Sequence, residues 1–489
     1  MPQAVATVIY VVGILGLFYL DRDEDSRMSK ALWIPAVWLF LTSSRGVSLW
    51  LGMAQVRSQE AYVEGSPIDM AVFATLLIAA LAVVISRGDR VGPLLGKNGP
   101  ILLFFAFCAV SILWSDFPFV AFRRWIKALG DLAVVLIILT EPDPMDTLKR
   151  LITRLGFILF PLSILFGKYY PHLGRRLTNS WTEEITGVTT QKNTLGVICM
   201  LYGIGFLWML ATVYRDRADP NRTRRLAAYG TILITIVWLL AACNSTTSIV
   251  GFTMAGGVML LATRPSLVCK PATVHLLVLA VLFVALFPIF LDSSVLSAVG
   301  KDPTLTGRTE TWKLLLSMPI NPWVGTGFES FWLGNRLQKL WDAYPNFYIN
   351  EAHNGYIEVY LHLGLVGVSL LGLLLLTGYR KIIAAFRRDP DRGVLLLGFF
   401  LAVLFESLTE AAFRMMYPSW IFLLLASIAA SQVIALEAVE QPGNEPAEYA
   451  QWIGAESVAR KWEWTDESEL RISPLKARRA GGTPPGYQA

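Results

Sequence analysis

Apolar runs follow one another along most of the chain, separated by short polar connections. Set against the roughly 20 residues needed to cross a bilayer, they give about thirteen candidate helices. These fall near 4–20, 31–49, 68–85, 99–114, 123–140, 150–167, 193–214, 227–243, 249–263, 273–291, 356–377, 394–409 and 419–437. The second, with Arg45, and the fifth, opening with Arg123, Arg124 and Lys127, are the least apolar. Two polar islands break the pattern, one from Tyr169 to Asn193 and a larger one from Asp292 to Gly355. The expected fold is all-α, a polytopic membrane bundle of 12–13 helices with one large outward loop containing short helices. Its bundle covers 1–437, including the loop 292–355. A polar tail over 438–489 is expected to be disordered, save one short helix near 446–463.

Composition agrees: 54% of the 489 residues are hydrophobic and 16% charged, with a mean hydropathy of +0.51, outside the range of soluble chains of this length. The first apolar run lacks a basic leader and a small-residue cleavage site, so it is expected to be retained. The net charge of +5 matters less than its placement. Alternate connections, at 21–30, 86–98, 141–149, 215–226, 264–272 and 378–393, hold the dense basic clusters, among them Arg215, Arg217, Arg222, Arg224 and Arg225. The positive-inside bias makes that face cytoplasmic. The large loop then faces outward and the tail inward. Cys108, Cys199, Cys243 and Cys269 lie in or beside apolar runs, with neither a disulfide framework nor metal-ligand spacing.

Chemistry is expected mainly in the large loop. The run Thr306-Gly307-Arg308-Thr309-Glu310 reads as a helix start with Thr306 as N-cap, which sets Arg308 in the first turn. A cation there opposes the helix dipole, so an anion such as a pyrophosphate, or a carboxylate such as Asp302 or Glu310, is expected beside it. His353 closes the loop at the start of a span, and its ordinary pKa suits it to take a proton from a sugar hydroxyl. Glu351, Asn354 and Glu358 flank it and can fix its tautomer. Of the other histidines, His275 and His362 read as packing or interhelical hydrogen-bonding residues, and His172 as the outward rival. Arg175, Arg176 and Lys192 make the smaller island a candidate polyanion site, and Arg123, Arg124 and Arg414 are further outward cations. A mixed-charge solvated loop and snorkelling to lipid phosphates are the ordinary alternatives. The loop aromatics Trp312, Trp323, Phe328, Phe331, Trp332, Trp341, Tyr344, Phe347 and Tyr348 are expected chiefly as an interfacial belt. The segment 321–328 reads as a tight turn. The chain has no P-loop, dinucleotide fingerprint or His-Glu-x-x-His.

Three segments, Gly307-Arg308-Thr309-Glu310-Thr311-Trp312, Gly325-Thr326-Gly327-Phe328 and His353-Asn354-Gly355-Tyr356-Ile357-Glu358, the last followed by Gly364, resemble the O-antigen ligase and polysaccharide polymerase superfamily of bacterial inner membranes. Arg176 to Gly187, the run Lys192 to Gly196, and Trp114-Ser115-Asp116 with Arg123-Arg124 add to the likeness, which is greater for the exopolysaccharide polymerase branch. The chain departs at Asn244-Ser245-Thr246-Thr247-Ser248, where relatives often carry a basic residue. The resemblance implies a metal- and nucleotide-independent glycosyltransferase acting on undecaprenyl-diphosphate-linked glycans at the periplasmic face. It implies His353 as base for the acceptor hydroxyl, and Arg308 and Arg176 as diphosphate ligands, with Arg175, Lys192, Arg123 and Arg124 as further candidates. Neither cofactor nor metal is expected. The partners expected are a lipid-linked glycan donor, a glycan acceptor, the bilayer, and a chain-length regulator or export complex; nucleic acid is not among them.

Three other readings stay open. A ligase would transfer the glycan to a lipid A core. A transporter of polysaccharide or lipid-linked sugar would have as many spans, but intramembrane ionisable residues are few (Arg45, Glu358, Glu406, Glu410) and no inverted repeat is visible. A metal-dependent polyprenyl-linked transferase would want paired acids in the first outward loop, where Glu60, Glu64 and Asp69 are scattered.

Overall fold

The computed structural model describes residues 1–22, 29–53, 65–177, 182–262, 273–279, 304–343 and 349–440. Cys269, Asp302, Glu60, Glu64, Tyr344, Phe347, Tyr348, the connection 264–272, most of the span at 273–291 and the tail helix near 446–463 lie outside them. The chain divides into a unit Met1–Glu437 and a second from Ala438. The first is an all-α membrane bundle.

Its principal helices are α1 (Gln3–Leu20), α2 (Trp33–Thr42), α3 (Pro67–Ser86), α4 (Gly88–Gly96), α5 (Gly99–Val110), α6 (Pro118–Leu139), α7 (Pro144–Tyr169), α8 (Lys192–Arg215), α9 (Arg222–Cys243), α10 (Thr246–Ala262), α11 (Thr304–Ser317), α12 (Gly334–Ala343), α13 (Gly355–Arg388), α14 (Pro390–Glu406) and α15 (Pro418–Glu440). Among the described residues, α1, α3, α7, α8, α9 and α13 are long and apolar enough to cross a membrane. α4 and α5 form a bent pair turned by 92°. Shorter apolar helices lie at Lys30–Thr42, Thr246–Ala262 and Pro418–Ile434. Arg123, Arg124, Lys127 and Asp131 keep α6 from being an apolar span.

α8 is the axis of the bundle: 78% of its apolar window is buried, against 11% for α1, which faces outward. It packs on α7, α9, α10 and α14. α10 approaches it closely because Gly196 and Gly251 leave no room for more; a Cβ at either would stand 2.5 Å from Ser248 Oγ or 2.6 Å from Met200 Sδ. Small residues at crossings are the usual solution where lipid supplies no hydrophobic drive between helices.

The expected span at 31–49 stops at Thr42, and Arg45 explains why. Its guanidinium donates to the carbonyls of Val188, Leu173, Gly187 and Thr189 at 2.8–3.0 Å, holding the chain that leads from the smaller polar island into α8. That island carries a short antiparallel hairpin, Arg175–Leu177 against Glu183–Ile185, with Arg176 opposite Glu184.

α13 is broken within the bundle at Gly364, whose φ of +64° and ψ of −163° are outside the helical range and essentially glycine-only. The break exposes backbone groups that must find partners inside the protein. The 321–327 turn supplies them: Leu365 N donates to Pro322 O (2.9 Å), Val366 N to Trp323 O (3.0 Å), Thr326 N to Leu361 O (3.2 Å) and Gly327 N to His362 O (2.9 Å). A Cβ on Gly364 would fall 2.3 Å from the Trp323 carbonyl carbon, and one on Gly325, 2.4 Å from that of His362. The turn read from sequence is thus a plug for a broken helix.

The loop aromatics correct the belt expectation. Phe331 and Trp332 are buried with Leu315, Leu337, Leu340, Ala352 and Leu361, and Trp312 and Trp341 pack on them. They form the loop's own core, which fixes α11 and α12 over the start of α13. Trp323 remains exposed. The segment 114–124 braces this assembly: Trp114 Nε1 donates to Val324 O (3.1 Å), the Ser115 and Ser330 hydroxyls lie 2.6 Å apart, and Asp116 pairs with Arg336.

Candidate functional site

His353 stands at the corner between the large loop and α13, with φ +47°, a left-handed conformation that costs a non-glycine residue roughly 1–2 kcal/mol. Its neighbours hold it there. Ala352 is clamped on both sides, its carbonyl accepting from Trp312 Nε1 (2.7 Å) and its N–H donating to Glu358 Oε2 (2.8 Å). Glu358 Oε1 also accepts from Trp332 Nε1 (2.5 Å) and meets His362 Nε2 at 3.3 Å. Asn354 N-caps α13, accepting from Tyr356 N and Ile357 N at 3.0 Å, while its amide donates to Leu408 O (3.1 Å). Gly355 N donates to Ser407 O (2.7 Å). The His353 backbone is therefore tied to the chain that follows α14.

That chain delivers Glu410. His353 Nδ1 lies 3.2 Å from Glu410 Oε2 and 3.3 Å from Glu351 Oε1. Arg308 reaches the same carboxylate, its Nη2 3.2 Å from Glu410 Oε1, and donates through Nη1 to Thr409 O (2.7 Å). Asn193, in the first turn of α8, donates to Glu410 Oε1 (2.9 Å). Arg414 pairs with Glu351 Oε2 (3.0 Å). Thr409 Oγ1 donates to Thr247 Oγ1 (2.9 Å), which brings the start of α10 to the edge. Burial disfavours a charged imidazole, but the hydrogen bond to Glu410 and the charges of Glu351 and Glu410 outweigh it and raise the His353 pKa, against Arg308. Burial likewise pushes Glu351 up, while His353 and Arg414 beside it hold it below the usual carboxylate range. The His353 side chain keeps 35% of its surface accessible and Glu410 7%, so the ring has an open edge and the carboxylate does not.

Two expectations for Arg308 are corrected. α11 begins at Thr304, so Thr306 is inside it and Arg308 is in its second turn; the dipole argument does not apply. Its carboxylate is Glu410 and not Glu310, which is exposed. Arg308 and Trp312, four residues apart, share one face of α11, and this ties the guanidinium to the His353 corner.

The other candidate residues divide. Arg175 pairs with Glu183 (2.7 Å) and donates to Gly167 O (2.7 Å), and Lys192 pairs with Glu184 (2.6 Å); both stabilise the hairpin. Arg176 is exposed on it. The cluster meets this region through Asn193. Arg124 donates to Glu329 O, and Arg123 lies over Phe119 at 4.9 Å, a second polar patch on the turn segment. His172 is in a single turn beside Tyr170, His275 bonds the Tyr379 hydroxyl (2.7 Å), and His362 is buried on Glu358. Glu351, His353 and Glu410 each bring one ligand atom within 4.8 Å of the others. Arg308 and Arg414 already neutralise these carboxylates, so the set forms an ion-pair network. Asn193, Thr409, Glu410 and Trp312 were not among the expected site residues; the signal for Glu410 was an ionisable residue directly after the apolar run 394–409.

The cluster lies at one end of three helices. Asn193 opens α8, Gly355 opens α13, and α14 ends at Glu406 just before Glu410; their other ends carry Arg215, Arg388 and Pro390. There Arg215 pairs with Asp391 (2.8 Å). The basic connections and the cluster are thus separated by the length of α8, about 36 Å at 1.5 Å per residue.

Fold and site together define a multi-pass membrane protein with a histidine–arginine–carboxylate cluster at one bundle end. Residues 231–372 match the Wzy_C family, described as O-antigen ligase. The chain is similar to the exopolysaccharide production protein ExoQ of Rhizobium meliloti (strain 1021), 29% identical over 314 residues that cover 60% of this chain and 68% of that protein. Both likenesses point to the O-antigen ligase and polysaccharide polymerase superfamily, the first over the matched residues 231–372 and the second over 60% of the chain.

Proposed function

We propose that the protein polymerises undecaprenyl-diphosphate-linked oligosaccharide repeats into exopolysaccharide or O-antigen at the periplasmic face of the bacterial inner membrane. The observation that carries this reading is the meeting of His353 and Arg308 on one buried carboxylate, at the end of the bundle opposite the basic connections. His353 takes the acceptor hydroxyl proton as the hydroxyl oxygen attacks the anomeric carbon. The bond from that carbon to the diphosphate breaks, and the lipid diphosphate leaves with the electron pair, neutralised by Arg308. Attack opposite the leaving group inverts the anomeric centre. The bond energy comes from the donor ester, so no nucleotide is required.

A ligase would run the same step with a lipid A core as acceptor, and the family's description favours it; the likeness to an exopolysaccharide production protein favours polymerisation. Lipids extracted from a strain lacking the gene separate the two. Polymerase activity predicts accumulation of single lipid-linked repeats; full-length lipid-linked polymer would contradict it and indicate the ligase.

A further inference from the structure

We propose that Glu410 is the positioning carboxylate of this site, holding His353 through Nδ1 while occupying the place on Arg308 that the donor's diphosphate takes. This rests on the glycosyl-transfer reading above. The two oxygens of Glu410 have different partners. Oε2 meets His353 Nδ1 at 3.2 Å, and Oε1 receives Asn193 Nδ2 at 2.9 Å and Arg308 Nη2 at 3.2 Å. A neutral ring that keeps its proton on Nδ1 and donates that N–H in a hydrogen bond to a carboxylate presents a bare Nε2, the tautomer a general base needs. Arg308 keeps a second anchor in Thr409 O through Nη1. Its Nη2 can therefore turn from Glu410 to a phosphate oxygen while the guanidinium stays in place, and bidentate phosphate binding suits the freed edge.

Glu410 is poorly placed to follow. Its N–H is bound to Glu406 O (2.9 Å), and its side chain is buried. When the diphosphate takes Arg308, the carboxylate loses a cation and keeps the imidazole, which makes His353 more basic as the donor docks. The charged and titratable groups around the ring are Glu351, Glu410 and Arg308, with Arg414 behind Glu351. Glu406 and Tyr417 lie behind Glu410. Sequence placed the fixing of the tautomer on Glu351, Asn354 and Glu358; among these, Glu351 alone touches the ring in the described residues, and its other oxygen is taken by Arg414.

The test is steady-state transfer by the full-length protein in liposomes, with synthetic lipid-diphosphate-linked repeat, comparing wild type, Glu410→Gln and Glu410→Asp. Glutamine keeps the shape and removes the charge. The expected result is a kcat lower by about tenfold or more with a donor KM at or below that of wild type, because Arg308 is released, and partial recovery of kcat in Glu410→Asp. A higher KM at unchanged kcat, or wild-type values for both, would overturn the proposal. Should Glu410→Gln be inactive, carbethoxylation of His353 against pH, read by peptide mass spectrometry, decides. Its midpoint moves to lower pH than in wild type if Glu410 supports the imidazolium, and an unmoved midpoint sinks the idea. Normal transfer by His353→Ala and Arg308→Ala would instead bring down the parent reading, whatever Glu410 does.

Discussion

His353 is held in a strained backbone by its neighbours: the buried Glu358 and Asn354 and the half-buried Trp312 act on residues 352–357, and the ring keeps an accessible edge. Strain kept in place by its surroundings is characteristic of groups that must be presented in one orientation. The sign of its pKa shift has a consequence for pH dependence. The imidazole is held charged above its ordinary value of about 6.5, and a base must be neutral, so activity falls as pH drops through that raised value. A plot of kcat/KM against pH is expected to show an acid limb centred above about 6.5; a limb below it would contradict the assignment. The ion pairs of His353 contribute their stability below about pH 6.5 and lose it as pH rises through the folded-state pKa. His353 and Arg308 were legible as a position at a loop–helix junction and as a cation in an outward segment. Glu410 was not, because a contact across 57 residues leaves no local spacing to read.

At the scale of elements, hydropathy located the helices well and their interruptions poorly. α1, α3, α8 and α9 fall close to their apolar runs, since a span needs an unbroken apolar stretch whether lipid or protein packs against it. α2 ends early because Arg45 is required by the hairpin loop, and α13 continues well past its apolar run yet breaks at Gly364. Arg45 marked the second run as weak without saying where it ends, and one glycine within an apolar run does not announce a break. The same holds for the aromatics of the large loop, whose burial depends on α11 and α12 meeting α13. The break yields a sharp prediction. In Gly364→Ala, the new Cβ meets the Trp323 carbonyl, and the backbone cost alone is about 1–3 kcal/mol. The expected outcome is a several-fold fall in membrane-inserted protein and faster proteolysis, measured by immunoblot of isolated membranes. A wild-type level and protease pattern would show that the plug of 321–327 is dispensable.

Over the whole molecule, charge placement and helix direction agree. The connections rich in arginine gather at one end, tied by Arg215 and Asp391, and the cluster of Arg308, Glu351, His353 and Glu410 sits at the other. The positive-inside bias requires only the order of spans to be right near 192–437, and α8, α13 and α14 supply it there. Family-level motifs marked the stretch from Arg308 to His353 because those residues lie in the matched segment 231–372. Glu410 and Asn193 lie outside that segment and enter the site only through folding. The proposed polymerisation requires His353 and Arg308 to act on one lipid-linked substrate. Its most direct measurement is chain extension by purified protein in liposomes supplied with undecaprenyl-diphosphate-linked repeat, comparing wild type with His353→Ala and Arg308→Ala at equal reconstituted amounts. Extension by wild type and none by either variant is the result predicted; extension by either variant at the wild-type rate would contradict it.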